Sequence, residues 1–164
     1  MTDRPKYSLT EFERRWLVEK KLLPDLSELE ETIITDKYFP GTRTRLREMI
    51  RSISGEKIFK LTKKYGKVSG MSEPLTTIYL SEEEYSLFNS NEGYILKKSF
   101  YRYPYSGTGF LIEIFKIPET EFILAEAEAS SEEELTKLVL PDFISEEVTQ
   151  DKRYEGYSIA SGKF

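Results

Sequence analysis

The sequence predicts a closed antiparallel β-barrel, mainly β with a few short flanking helices (an α+β chain), and three observations carry that prediction. Most of the chain reads as short strands separated by turn residues. Charged residues recur at period two inside several of those strands, and period two places them on one face. The opposite faces are small or mixed rather than uniformly apolar: Thr42, Thr44 and Leu46 flank Arg43, Arg45 and Arg47, while Ala125 and Ala127 flank Glu126 and Glu128. A single alternating row is usually the solvated face of a half-buried sheet. Five such rows in 164 residues fit a barrel with inward charge better than an open sheet, which stays as the alternative reading.

Residues 9–18 (LTEFERRWLV) alternate, with Glu11, Glu13 and Arg15 on one face. Residues 19–29 carry Pro24 and read as a short, broken helical connection. Segments 30–39, 42–53 and 56–65 read as successive strands, with turn signals at Pro40-Gly41 and Ser54-Gly55. A loop is expected over 65–74 (YGKVSGMSEP), then a short β-branched strand at 75–80. Ser81 before Glu82-Glu83-Glu84 reads as an N-cap with acidic first-turn residues, starting a helix to Phe88. After a turn at 91–93, segments 94–103 and 109–116 read as a hairpin across Pro104–Gly107. Strand 121–129 follows, and Ser130-Ser131 with Glu132–Glu134 starts a second capped helix to Leu138. The C-terminal stretch holds a short strand or turn near Val148 and then a tail. No repeat, linker or low-complexity segment divides the chain, so one domain over 1–164 is expected.

Composition bounds the chemistry. The chain has no cysteine and no histidine, which excludes disulfides, thiolate zinc sites and His-dependent nucleophilic catalysis. A bound metal must have oxygen ligands, which favours Mg²⁺, Mn²⁺ or Ca²⁺. With 24 basic and 29 acidic residues the net charge is −5, so nucleic acid and anionic membranes are not expected partners. No apolar run nears the ~20 residues of a membrane span and no signal-peptide core is present, so the expected location is cytoplasmic.

The charged rows carry the functional reading. Arg43, Arg45 and Arg47 project together, as do Lys60, Thr62 and Lys64, and Lys98, Phe100 and Arg102; against them stand Glu11 with Glu13 and Glu126 with Glu128. Clustered Arg and Lys recognise phosphate oxygens, Arg through its bidentate fork and Lys as a point charge. Clustered carboxylates repel a polyanion unless a divalent cation lies between them. Basic rows facing acidic rows therefore suit a metal–polyphosphate complex. Ion pairing in an empty barrel is the structural alternative, and buried salt bridges are a poor source of net stability.

These residues resemble the CYTH, or triphosphate tunnel metalloenzyme, family in its bacterial short form. Glu11-Phe12-Glu13-Arg14-Arg15 looks like the family's ExExK signature, with Arg15 where lysine is usual. GTRTRLRE (41–48), KLTKKYG (60–66), TIYLSEEEY (77–85), LAEAE (124–128) and EEVTQDKRY (146–154) match further blocks in order along nearly the whole chain. The resemblance implies an eight-stranded antiparallel tunnel that hydrolyses a triphosphate, inorganic or nucleoside, with Mg²⁺ or Mn²⁺. Carried over by position, it implies metal ligation or water positioning by Glu11, Glu13, Glu126, Glu128 and Glu147. It implies phosphate binding by Arg15, Arg43, Arg45, Lys60, Lys64, Lys98 and Arg102, with Glu13, Glu128 and Lys64 closest to catalysis and Arg47 at the tunnel end.

The chain departs from the family pattern at Phe100, where many relatives carry Arg, at Glu113, where Asp is common, and near Gly156, where an expected Asn is missing. The expected partner is a small-molecule triphosphate, and the expected state a monomer or homodimer. The family also includes class IV adenylyl cyclases and thiamine triphosphatases, so a cyclase is an alternative. A non-catalytic polyphosphate or nucleotide binder and a carrier of an apolar ligand are two more; inward charge argues against the last.

Overall fold

The computed structural model describes residues 4–163, and its backbone closes into the barrel. The strands are β1 (Leu9–Val18), β2 (Glu31–Tyr38), β3 (Thr44–Arg51), β4 (Lys57–Lys64), β5 (Ser72–Leu80), β6 (Tyr94–Tyr105), β7 (Thr108–Ile117), β8 (Glu119–Ala129) and β9 (Ile144–Glu147). They pair antiparallel in the order β5-β4-β3-β2-β6-β7-β8-β1, and β5 returns to β1 to close eight strands; β9 is a ninth, added beside β1. Strand β1 makes this possible by dividing its length. Leu9–Phe12 pair with β5, Phe12–Leu17 pair with β8, and Trp16 and Val18 pair with β9.

Side-chain parity then sorts the strands. Trp16, Phe110, Ile112, Ala125 and Ala127 face outward and form an apolar core beneath Leu26 and Phe143, supplied by the segments that follow β1 and precede β9. Full burial of one such aromatic or aliphatic side chain contributes about 1.5–3 kcal/mol. Residues 19–29, expected as a broken helix, form turns and no helix. Their apolar positions Leu23, Leu26 and Leu29 pack flat on the barrel wall, and a stretch this short gains too few helical hydrogen bonds to offset nucleation.

On the inner face the apolar residues gather at one end. Leu96, Phe115 and Leu124 lie two residues from Lys98, Glu113 and Glu126, and with Val148 and Ile159 they form a second core. Ile159 belongs to helix α3 (Gly156–Ala160), which follows a 3₁₀ turn at Lys152–Tyr154. The expected C-terminal tail is thus a folded element that packs into the barrel end.

Two other boundaries move. The loop expected through residue 74 ends sooner, because β5 begins at Ser72 and Pro74 is paired with Thr10. The 94–116 hairpin is tighter than expected, with Pro104 opposite Gly109 and a two-residue turn at Ser106-Gly107. Both turn residues have positive φ, 48° and 79°, the twist a two-residue hairpin needs. Helix α1 (Glu82–Asn89) has the expected Ser81 cap, completed by Glu84 as a capping box, and helix α2 (Glu132–Thr136) is capped by Ser131. No helix among the described residues is long and apolar enough to cross a membrane.

Candidate functional site

A cavity of about 700 Å³ occupies the barrel, and both signs of charge converge on it. Among its lining residues are Glu11, Glu13, Arg15, Arg43, Arg45, Lys64, Lys98, Glu126 and Glu128. Strand parity puts them there: β1 and β8 pair Glu13 with Glu128 and Arg15 with Glu126, and β3 carries its arginines at alternate positions.

The carboxylates divide into two groups. Glu11, Glu13 and Glu128 each offer an oxygen, and these oxygens lie within 4.8 Å of one another. This all-oxygen set fits the hard divalent cation that the family resemblance implies. Glu126 lies deeper, buried and held by Arg15 Nε at 2.6 Å, while Arg15 Nη2 reaches Glu13 at 2.8 Å. Arg15 Nη1 donates to the Tyr154 carbonyl at 2.8 Å. Expected as a phosphate ligand, Arg15 has its donors turned to two glutamates and the C-terminal segment.

The cations divide in the same way. Lys64 bonds Glu11 at 2.8 Å and approaches Glu73 at 3.5 Å. Lys98 is buried against Glu113. Arg47 grips Asp36, with Nε–Oδ1 at 2.6 Å and Nη2–Oδ2 at 2.8 Å, and Asp36 is 0% exposed. The Arg43 side chain makes no hydrogen bond or ion pair among the described residues, while its carbonyl accepts from the Lys64 amide at 3.0 Å. Arg45 stands 3.8 Å from Asp36, and its buried Nε has no hydrogen-bond partner. These two guanidinium groups have donor capacity left for an anion. Gly66 permits the approach of Arg43: it has φ of 101°, and a Cβ there would collide with the Arg43 guanidinium.

Three expected residues lie elsewhere. Glu147 is opposite Trp16 in the β1–β9 pairing, outside the bore, where Arg14 holds it at 2.7 and 3.0 Å and Thr149 donates to it at 2.7 Å. The structure does not bring it to the other four expected glutamates. Lys60 keeps the parity of Lys64 but sits beyond the cavity, its ammonium 5.1 Å over the ring of the exposed Tyr79. Arg102 lines a separate recess of about 320 Å³ at the Glu128 end, together with Glu134. Phe100 lines the main cavity.

Asp36 and Glu73 were not among the expected site residues, and Glu113 entered only as a departure from the family pattern. Asp36 carried a signal, since an acid on the face of Ile34 and Tyr38 has to be paired if that face is buried.

The electrostatics follow from this geometry. Burial, then Glu126 and Glu11, raises Glu13 to about 7 against the pull of Arg15 and Lys64. Burial and the neighbours Glu11 and Glu126 also raise Glu128. Burial opposes the ionised form of Glu126 and of Asp36, but Arg15 and Lys98 in the first case and Arg47 and Arg45 in the second outweigh it and hold both near 2.

Glu13 thus keeps a proton in the folded state that the unfolded chain releases near its ordinary value of 4.5. Stability from this group is complete below that value and falls as pH rises toward 7. Metal-free protein should lose on the order of 3 kcal/mol of unfolding free energy between about pH 4.5 and 7.5. Urea titrations in chelator check this, and Mg²⁺ should flatten the slope.

No protein-family model matches the chain, and no curated protein matches it in sequence. Solved structures do. The inorganic triphosphatase NE1496 matches with a TM-score of 0.60 and 26% identity, over 93% of this chain and 95% of that one. A candidate adenylate cyclase from Bacillus halodurans matches at 0.56 and 18%, over 79% and 86%. The PH1819 protein from Pyrococcus horikoshii OT3 matches at 0.52 and 17%, over 77% and 82%. The last two likenesses are of fold alone.

Proposed function

Because the chain resembles the CYTH, or triphosphate tunnel, family in sequence motifs and in fold, we propose that it hydrolyses a triphosphate, inorganic or nucleoside, with Mg²⁺ or Mn²⁺. The observation that carries this reading is the convergence on one cavity of the Glu11–Glu13–Glu128 oxygens and the Arg45 guanidinium, whose Nε has no hydrogen-bond partner. Carboxylates alone would suit a cation, and arginines alone an anion. Both together suit the complex of the two.

Glu11, Glu13 and Glu128 would hold the divalent ion, which when bound neutralises phosphate charge and favours ionisation of water. Arg43 and Arg45 donate to the phosphate oxygens. Arg47 is fixed by Asp36 and contributes field rather than a free donor. Arg15 orients Glu13 and Glu126. In the reaction a water oxygen attacks the terminal phosphorus, the bond to the bridging oxygen breaks, and the leaving phosphate takes the electron pair. The proton of the water passes to a glutamate carboxylate of the cavity. Fixed charges already aimed at the developing negative charge lower the barrier without reorganisation.

A phosphate-release panel over inorganic triphosphate, ATP, thiamine triphosphate and pyrophosphate, with Mg²⁺, Mn²⁺ and Ca²⁺, tests the proposal. ATP should yield ADP and phosphate. Cyclic AMP and pyrophosphate would instead make the protein a cyclase. Phe100 in the cavity favours one second reading, a binder with no turnover, which tight triphosphate binding without phosphate release would establish. Arg45→Met should raise the KM for triphosphate about 10- to 100-fold, the loss of one charge-assisted donor, with a smaller change in kcat. Steady-state kinetics check it.

A further inference from the structure

The exposed charged residues that line the cavity fall in two groups of opposite sign. One group comes from three separate segments: the turn before β3, the loop joining β4 to β5, and the 3₁₀ turn near the C-terminus. Each contributes an exposed cation that lines the cavity, namely Arg43, Lys67 and Lys152. The carboxylates beside these cations are Glu73, which accepts from the Gly66 amide at 3.1 Å and is shared with Lys64, and Glu155, 3.5 Å from Lys67, whose ammonium also donates to the Thr149 carbonyl at 2.9 Å. Lys152 makes no ion pair among the described residues. The other group is Glu128, which is exposed and shared between the cavity and the recess, where Glu134 and one cation, Arg102, stand beside it and Glu11 and Glu13 lie close by.

We infer that these two groups mark two openings divided by charge: the polyanion enters and leaves past Arg43, Lys67 and Lys152, and the divalent cation enters past Glu128. This rests on the triphosphate reading above and adds the route and the residues that set it. A triphosphate carries several negative charges, so a rim of net positive charge raises its local concentration and its association rate. At the Glu128 end the same anion meets the glutamate cluster first. A free divalent cation experiences the reverse. Lys152 and Lys67 lie outside the reacting set, so their effect is on association, before any bond is broken.

The experiment is stopped-flow association of inorganic triphosphate in Mg²⁺, followed by intrinsic fluorescence, for wild type, Lys152→Glu and Lys60→Glu. The two variants make the same charge change, one on the cavity rim and one outside the cavity beside Tyr79, and circular dichroism verifies that each is folded. Lys152→Glu should slow association about 3- to 10-fold at low ionic strength, with the difference vanishing near ~0.5 M salt, while Lys60→Glu changes it less than about 2-fold. Equal slowing by the two variants, or wild-type association for Lys152→Glu at low salt, overturns the inference and leaves the functional reading standing. Failure of wild-type protein to bind triphosphate overturns both.

Discussion

Glu13→Gln and Glu128→Gln should each lower kcat/KM for metal-dependent phosphate release at least about 100-fold, while the metal-free protein stays as stable as wild type or becomes more stable. Both effects follow from one geometry. Three carboxylate oxygens within 4.8 Å repel one another unless a cation lies among them. Removing one charge relieves that repulsion and removes a ligand from the same site. Glu13 is the sharper case: burial and Glu126 already push it to about 7, so glutamine replaces a carboxyl that the folded, metal-free protein prefers neutral. Catalysis depends on its ionised form with metal present, and the loss of one aligned charge in such a site costs two to three orders of magnitude. Phosphate release in Mn²⁺ and urea unfolding in chelator, run on the same preparations, check the pair of effects. Retained activity in both variants would remove the glutamate cluster from the mechanism.

Asp36→Asn should cost about 3–5 kcal/mol of stability, because it leaves the Arg47 and Arg45 guanidinium groups in a buried site without their carboxylate. In a chain of 164 residues that corresponds to a fall in Tm of roughly 6–20 °C. Asparagine preserves the shape, so the loss isolates charge from packing. Triphosphate should restore part of the deficit, since its oxygens can take the place of the missing carboxylate, and calorimetry with and without the anion measures both. Wild-type Asp36, held near 2 by its arginines, contributes stability above its unfolded value near 3.8 that is lost as pH falls through 2.

Inner and outer faces were legible in the sequence because period two does not depend on tertiary detail. Arg43, Arg45, Glu11, Glu13, Glu126 and Glu128 all line the cavity that their parity implied. Depth along the bore was not legible. Lys60 and Lys64 share a face, yet one contacts Glu11 and the other stacks on Tyr79 beyond the cavity, and only the tilt and closure of the barrel separate them.

Partnership was hidden for the same reason. Arg15 and Arg45 look alike in a row, but cross-strand register sets Glu126 opposite Arg15, which also reaches Glu13 on its own strand, while the Nε of Arg45 has no hydrogen bond. Glu147 matched a motif, and its face is set by a four-residue strand paired to Trp16, too short to show a period. The C-terminal helix was invisible because five residues carry little periodicity, and packing into the barrel end supplies its stability.

Crystals grown with Mn²⁺ and a slowly hydrolysed triphosphate analogue, read by manganese anomalous scattering, give the most direct measurement. The expected density is a manganese peak among the Glu11, Glu13 and Glu128 carboxylates, with phosphate oxygens on Arg43 and Arg45. Manganese bound only at the protein surface, or an analogue lying outside the barrel, would contradict the account.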